Sequence, residues 1–451
     1  MTRCHIIPPY MLEALLADAD PDVADRARTS LRVDAQVRAA RAVQPLSATL
    51  KPLRTAGAVA PSPHRVISDA RHTQTTPGTR VRGEGDPPTD DKATDEAYDG
   101  LGDTWTFYES AYGRDSIDGR GMTLLGTVHY GRAYDNAFWD GTQMIFGDGD
   151  GTIFNRFTIA KDVIGHELTH GVTAATANLT YSDQPGALNE SISDVFGSCV
   201  KQMALGQTAA EADWLIGEGL LAVGIRGRAL RDMLHPGTAY DDPRLGTDPQ
   251  PADMSGYVTT GDDNGGVHTN SGIPNRAFAL AATSLGGHSW EVAGAVWYAV
   301  LTGPDITPDC DFATFARLTG AEAAARHGVD AATAVATAWE RVGVTSRAET
   351  PSRSVPAATP ADTRLLLRRT GGFAGLSAER QLRLADLPAD DRRAWQRLLV
   401  APTLAEAVDR PGTPDGYSYT VVCQSLGLEV SVAESHLPPH VQSLLERTLL
   451  G

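Results

Sequence analysis

Apolar residues recur every three to four positions over Tyr10 to Ala17 and over Asp22 to Val43, the period of one helix face. These two segments predict short helices after Pro8-Pro9, followed by an open stretch marked by Pro61, Pro63 and Thr75 to Gly78. Arg82 to Asp99 is acidic and polar with Pro87-Pro88 and reads as a surface loop. From Trp105 the pattern changes. Trp105 to Tyr112, Leu124 to Tyr130, Asn136 to Trp139 and Gln143 to Phe146 are rich in aromatic and β-branched residues and predict short strands. Gly147-Asp148-Gly149-Asp150-Gly151 reads as a turn, because a calcium loop would need a fuller ligand series ending in Glu. Helical periodicity returns over Ala160 to Leu205. After a loop-rich Trp214 to Tyr257 it resumes over Pro274 to Leu285, Trp290 to Leu301, Phe312 to His327 and Ala331 to Val342. A β-rich half therefore precedes an α-rich half. Residues 349–362 have the Pro, Ser, Thr and Ala composition of a linker. Beyond it a separate α+β unit is expected: strands at Leu365 to Arg368, Tyr417 to Cys423 and Leu428 to Val432, helices at Asp390 to Leu399 and His440 to Leu450.

Composition narrows the function classes. The 451 residues, 41% hydrophobic and 21% charged, suit several folded units and exclude wholesale disorder. No run of about 18 apolar residues occurs, so no membrane-spanning helix is expected. Lys plus Arg is 39 against 56 Asp plus Glu, a net charge of −17, which speaks against nucleic acid or an anionic membrane as partner. The N-terminus lacks the charged-then-apolar pattern of a signal peptide, so the expectation is synthesis in the cytoplasm, with either residence there or exit by a non-classical route. Cys4, Cys199, Cys310 and Cys423 are too dispersed for a disulfide scaffold.

The candidate chemistry begins at Asp162 to His170, DVIGHELTH. His166 and His170, four apart on a helix, present both imidazoles on one face, where they can grip one Zn²⁺. Glu167, beside His166, suits a general base for a zinc-bound water. A catalytic zinc needs a third protein ligand and an open position. Glu190, an acid within a run otherwise suited to burial (ALNESISD), supplies the ligand. Asp194, one turn on, can accept the free N–H of a zinc histidine.

HELTH, GALNESISD and Asp263-Asn264-Gly265-Gly266-Val267-His268 together resemble the thermolysin-like zinc metalloendopeptidases, and most of all their protealysin-like branch, over residues 76–347. The resemblance implies an α+β, two-lobed fold with the active-site cleft between a β-rich lobe and a helical lobe. It implies domains at 1–75 (propeptide), 76–210 (β-rich lobe with the zinc helix), 211–347 (helical lobe), 348–362 (linker) and 363–451. It also implies roles. His268 and Tyr181 would stabilise the oxyanion and Asp263 would orient His268. Arg231, Asn136 and the backbone of Ala137 would hold the substrate chain, and Phe154, Phe157, Val163 and Leu230 would form an apolar pocket. Cleavage on the amino side of bulky apolar residues follows. At the family's double-calcium site Asp162, Asp213 and Glu218 match acidic positions, but Lys201 and Leu215 stand where two more carboxylates would be. Calcium is therefore a possible cofactor whose double site is expected to be lost, with Lys201 replacing an ion.

The ends imply control. Cys4 to Leu16 resembles the start of a protealysin-type propeptide that covers the cleft until cleaved, with Arg71 to Arg82 a candidate cleavage region. The Cys4 thiolate could occupy zinc's open position, or Cys4 could be a free or buried thiol. Residues 363–451, in which the matched stretch begins RRTGGFAG at Arg368, resemble emfourin, an inhibitor of protealysin-like enzymes. Fused here, they would inhibit in cis through the Gly372-Phe373 loop, or serve as a stability or substrate module. The expected protein is a monomeric, latent zinc endopeptidase acting on peptides. The alternatives are an inactive or self-inhibited protease-binding protein working through its C-terminal domain, and a zinc hydrolase of non-peptide amides.

Overall fold

The computed structural model describes residues 5–42, 61–132 and 134–345. In the C-terminal unit it describes 363–371, 378–387, Asp391, Arg392, Trp395, Leu398, Leu399, 417–423, 428–434, 437 and 439–450. The chain separates into a unit spanning Met1–Ala348 and a second spanning Glu349–Gly451.

The first unit opens with α1 (Pro9–Leu15) and α2 (Pro21–Ala42). Pro9 sits at the first helical position, where its missing N–H costs nothing, and Met11, Leu12 and Leu15 face inward. A five-stranded sheet follows in the order β2-β1-β3-β5-β4, built from β1 (Arg65–Asp69), β2 (Thr79–Gly83), β3 (Leu124–Val128), β4 (Ala137–Trp139) and β5 (Met144–Phe146). β1 runs parallel to β3 in full register, Arg65 opposite Leu124 through Asp69 opposite Val128. Because β1 belongs to this sheet, the boundary expected at 75/76 falls inside the lobe, and the candidate cleavage region Arg71 to Arg82 covers the β1–β2 turn and most of β2. β4 forms the far edge of the sheet.

Two expectations fail at α3 (Lys92–Tyr112). Arg82 to Asp99 is largely strand and helix rather than loop, and Trp105 to Tyr112 is helix rather than strand. Local capping overrides the β-like composition: the Asp91 carboxylate accepts the Ala93 N–H, and Gly113 closes the other end in the left-handed region at φ 64°. Ala97, Leu101, Trp105 and Tyr108, at helical spacing, are buried.

α4 (Lys161–Ala175) and α5 (Asp183–Leu205) cross at the centre of the unit. Glycines set how closely. A Cβ on Gly197 would lie 2.3 Å from the Asp162 carbonyl oxygen, and one on Gly165 would lie 3.0 Å from the Gly197 Cα. Two short ribbons follow, β6 (Leu215–Ile216) with β7 (Arg231–Asp232) and β8 (Asp241–Asp242) with β9 (Gly246–Thr247). Then come α6 (Asp263–Asn270), α7 (Gly272–Leu285), α8 (Ala293–Thr302) and α9 (Phe312–Arg341), the last kinked at Gly328. Trp297 and Trp339 stack with ring centroids 6.0 Å apart in this helical layer.

The second unit is a four-stranded antiparallel sheet in the order β11-β10-β12-β13, from β10 (Arg364–Gly371), β11 (Ala378–Arg383), β12 (Tyr417–Cys423) and β13 (Leu428–Ala433), with α10 (Pro439–Leu450). Leu365, Leu367, Trp395, Tyr419, Val421, Leu444 and Leu445 form its own core. The Trp395 indole donates to Thr448 Oγ1 at 2.7 Å. Cys4 and the Gly372-Phe373 loop lie outside the described residues. Among the described residues no helix is long and apolar enough to cross a membrane.

Candidate active site

The close crossing of α4 and α5 brings His166, His170 and Glu190 together. Nε2 of His166 and Nε2 of His170 are 3.0 Å apart, and each lies 3.6 Å from a Glu190 carboxylate oxygen. The trio is almost wholly withdrawn from solvent. Asp194 Oδ1 is 2.8 Å from His166 Nδ1, and Asn189 Oδ1 is 2.9 Å from His170 Nδ1. With their Nδ1 protons so engaged, both rings turn lone pairs toward one gap. Burial keeps His170 from resolving that by protonation, lowering its pKa to about 4. Two facing lone pairs and a carboxylate need a cation between them, and the two-imidazole, one-carboxylate donor set suits zinc.

The surrounding groups are arrayed about this gap. Glu167 Oε2 accepts the Trp139 N–H from β4 at 2.9 Å. The Tyr181 hydroxyl donates to Glu190 Oε1 and lies 3.4 Å from His268 Nε2. Val267 and His268 follow four consecutive residues in the left-handed region, Asp263 at φ 50°, Asn264 at 52°, Gly265 at 88° and Gly266 at 73°. A Cβ on Gly265 would lie 2.4 Å from an Asp183 carboxylate oxygen, so glycine is required there. This turn wraps Asp263 around His268, one oxygen 2.6 Å from Nδ1 and the other accepting the His268 backbone N–H at 2.9 Å. Burial alone would lower the His268 pKa, but the charges of Asp263 and Glu190 outweigh it and push it up to about 9.

Arg231, on β7, grips Asp194 with two hydrogen bonds of 2.8 and 2.7 Å. Asn275 Nδ2 adds a third to the same carboxylate at 2.8 Å. The Asp194 carboxyl therefore stays ionised far below the usual range, since Arg231 and His166 outweigh the cost of its burial. Arg231 also donates to the Ile6 carbonyl at 3.3 Å. Ile6 N–H donates to the Ala137 carbonyl at 3.2 Å, and Ile7 exchanges a pair of bonds with the Asn136 side chain at 3.0 and 3.3 Å. The N-terminal segment thus lies against the edge of the sheet at Asn136 and Ala137, held through its main chain. α2 reinforces it: Asp34 accepts from Tyr134 Oη at 2.5 Å and from Asn136 Nδ2 at 3.1 Å, and meets His5 Nε2 at 3.2 Å. Phe154, Phe157, Val163 and Leu230 share one continuous buried cluster with Ile6 and Ile7. His5 and Pro9 line a cavity with Tyr181, Asp263 and His268.

Sequence reasoning missed Asn189, Asn275 and Asp34. Asn189 had a signal, standing directly before Glu190 in the acid-bearing helix. Asn275 and Asp34 had none, since 81 residues separate Asn275 from its carboxylate partner and 102 separate Asp34 from Asn136.

Residues 61–174 match the family model for the thermolysin metallopeptidase catalytic domain, and 177–344 that for its alpha-helical domain. The chain belongs to the thermolysin family of zinc metalloendopeptidases. Residues 367–449 match the emfourin model. An extracellular metalloprotease of Pectobacterium carotovorum subsp. carotovorum is 52% identical over 355 residues, 77% of this chain and 98% of the relative. An extracellular minor metalloprotease of Serratia marcescens is 45% identical, covering 62% of this chain and 78% of the relative. Among solved structures, the precursor of protealysin, a metalloproteinase from Serratia proteamaculans, matches with a TM-score of 0.69 at 52% identity, covering 76% of this chain and 100% of that one. These relatives correct the expectation of cytoplasmic residence, since two of them are named as extracellular enzymes.

Proposed function

We propose that this zinc endopeptidase acts outside the cell, cleaves peptides on the amino side of bulky apolar residues, and is made with its own N-terminus lying in the cleft. The observation that carries the reading is the set of four hydrogen bonds by which Ala137, Asn136 and Arg231 hold the backbone of Ile6 and Ile7. Those groups recognise main chain, so a peptide of any sequence fits them, and the apolar side chains of Phe154, Phe157, Val163 and Leu230 are assigned the selection of its side chain.

His166, His170 and Glu190 hold the zinc, which when bound supplies Lewis-acid polarisation of the carbonyl and a lowered pKa for water. Glu167, steadied by the Trp139 amide, takes the proton of the attacking water and delivers it to the leaving nitrogen. His268, kept protonated by Asp263, and the Tyr181 hydroxyl donate to the oxygen on which negative charge develops. Arg231 and Asn136 hold the substrate backbone in line, and Asp194 positions both His166 and Arg231.

Latency follows from competition: the Ile6-Ile7 segment, backed by α1 and α2, occupies the groups a substrate needs. Processing falls between Ala42 and Arg65, because a cut beyond β1 would take a strand from the sheet. The C-terminal unit adds inhibition in cis at high effective concentration. Lys201 takes the place of calcium, its Nζ 2.7 Å from Asp213, 3.1 Å from Glu218 and 3.6 Å from the buried Asp162.

Casein digestion by the processed enzyme tests the reading. Glu167→Gln is expected to lower kcat/KM by about 10²–10⁴-fold with zinc content unchanged. Retained activity in that variant removes the proposed base. Ile6→Asp is expected to raise the activity of the unprocessed chain, and deletion of residues 352–451 to raise that of the processed one. No change in the second case leaves the C-terminal unit a stability or substrate module.

A further inference from the structure

A second convergence of imidazoles and carboxylates lies apart from the zinc trio. His72 stands in the turn after β1, His129 directly after β3, Asp148 in the Gly147 to Gly151 turn, and Asp91 at the N-cap of α3. Nδ1 of His129 is 2.9 and 3.0 Å from the two Asp148 oxygens, while its Nε2 is 2.7 Å from Asp91 Oδ2. Nδ1 of His72 is 3.3 Å from Asp148 Oδ2. The two rings have centroids 5.4 Å apart.

A neutral imidazole has one N–H and can satisfy only one of two flanking carboxylates. With Asp91 taking the Nε2 proton, the Nδ1 lone pair of His129 faces Asp148, so a positive charge must sit there. A second proton would serve for His129 alone. It gives no reason for a second imidazole to approach the same carboxylate, nor for His72 and His129 both to adopt left-handed backbone, at φ 57° and 54°.

The catalytic trio provides an internal ruler. Its ligand atoms are 3.0, 3.6 and 3.6 Å apart. Here Asp148 Oδ2 lies 3.0 Å from Nδ1 of His129 and 3.3 Å from Nδ1 of His72, with all three ligand atoms within 4.8 Å of one another. Two ligands at 2.0–2.1 Å on a tetrahedral ion are about 3.3 Å apart, so both sets fit one small cation. The outer contact also repeats: Asp91 holds the far nitrogen of His129 as Asp194 holds that of His166.

We propose that His72, His129 and Asp148 form a second, non-catalytic site for a late first-row divalent cation of the zinc or nickel class, with Asp91 positioning His129. Two imidazoles favour such an ion over calcium or magnesium, which take oxygen ligands. The ion pins the β1–β2 turn to the Gly147 to Gly151 turn, whose Asp150 meets Arg26 of α2 at 3.4 Å.

The test is metal stoichiometry on the full chain. Protein with its catalytic zinc is equilibrated with Ni²⁺ or Zn²⁺ and desalted, and metal per chain is measured together with thermal stability. Wild type is expected to carry two equivalents and to gain melting temperature with the second. His72→Ala removes a side chain that is 56% exposed, so the fold is kept. It is expected to keep the first equivalent, and after processing its peptidase activity, while losing at least tenfold in affinity for the second. His129→Gln is expected to lose the second equivalent as well. A wild-type chain that saturates at one equivalent overturns the proposal, as does a His72→Ala chain that binds the second ion unchanged. Because the first equivalent is counted separately, failure here is distinct from failure of the catalytic assignment.

Discussion

The two ends of α5 handle buried carboxylates in opposite ways. At Glu190 the acid faces two imidazoles whose lone pairs it cannot satisfy, so the cluster calls for an ion from outside. Eleven residues on, about 16 Å along the helix, Lys201 reaches Asp162, Asp213 and Glu218, and the chain supplies its own cation. Those carboxylates outweigh the cost of burying the ammonium and raise its pKa, so it remains charged. Asp194 lies between the two cases: it holds His166 of the candidate metal cluster yet is neutralised internally by Arg231. The difference teaches that acid count does not identify a metal site. What matters is whether a fixed cation already fills the space between the acids.

The largest effect expected is at Lys201. Lys201→Met leaves Asp162 buried and uncompensated and should cost about 3–5 kcal/mol, read as a lower urea midpoint. Lys201→Glu should restore dependence on an ion, its melting temperature rising with millimolar Ca²⁺ while that of wild type does not move. A wild-type gain with Ca²⁺ traced to Asp162 and Asp213 would dissolve the contrast. Next comes Asp194→Asn, which keeps the shape but weakens the hold on His166 and Arg231. Zinc affinity or kcat/KM should fall about 10–100-fold, measured by competition with a chelator and by peptide hydrolysis. Smallest is the pH response at His129, in protein carrying only the catalytic zinc. The Asp148 hydrogen bond, against the opposing effect of burial and aided by Asp91, raises its pKa from 6.5 to about 9. A raised folded-state pKa stabilises fully below pH 6.5, and that contribution is lost as pH climbs through 9. The melting-temperature gap between wild type and His129→Gln should therefore shrink between pH 6.5 and 9, and a constant gap would refute the pinned imidazolium.

Legibility in the sequence followed locality. HELTH was readable because four residues on one helix fix two imidazoles on one face whatever surrounds them. Most of the later elements were readable for the same reason, from Leu124 to Val128 as strand through the periodic helices beyond Ala160. The first lobe was harder. Trp105 to Tyr112 carries strand-like residues, yet the caps at Asp91 and Gly113 make it helix. Arg65 to Asp69 is too short to announce itself until β3 pairs with it.

By itself the sequence determined the paired imidazoles of His166 and His170 on α4, the carboxylate-bearing helix that answers them, and the separate C-terminal unit, because these rest on short-range spacing and composition. Tertiary structure alone decided that Asn275 and Arg231 converge on Asp194, that Asp34 of α2 reaches Asn136, and that Ile6 and Ile7 lie on β4. It also decided that His72, His129, Asp91 and Asp148 meet. Each of those contacts joins residues from separate elements, and only the packing of those elements, set at the centre by Gly165 against Gly197, brings them within reach.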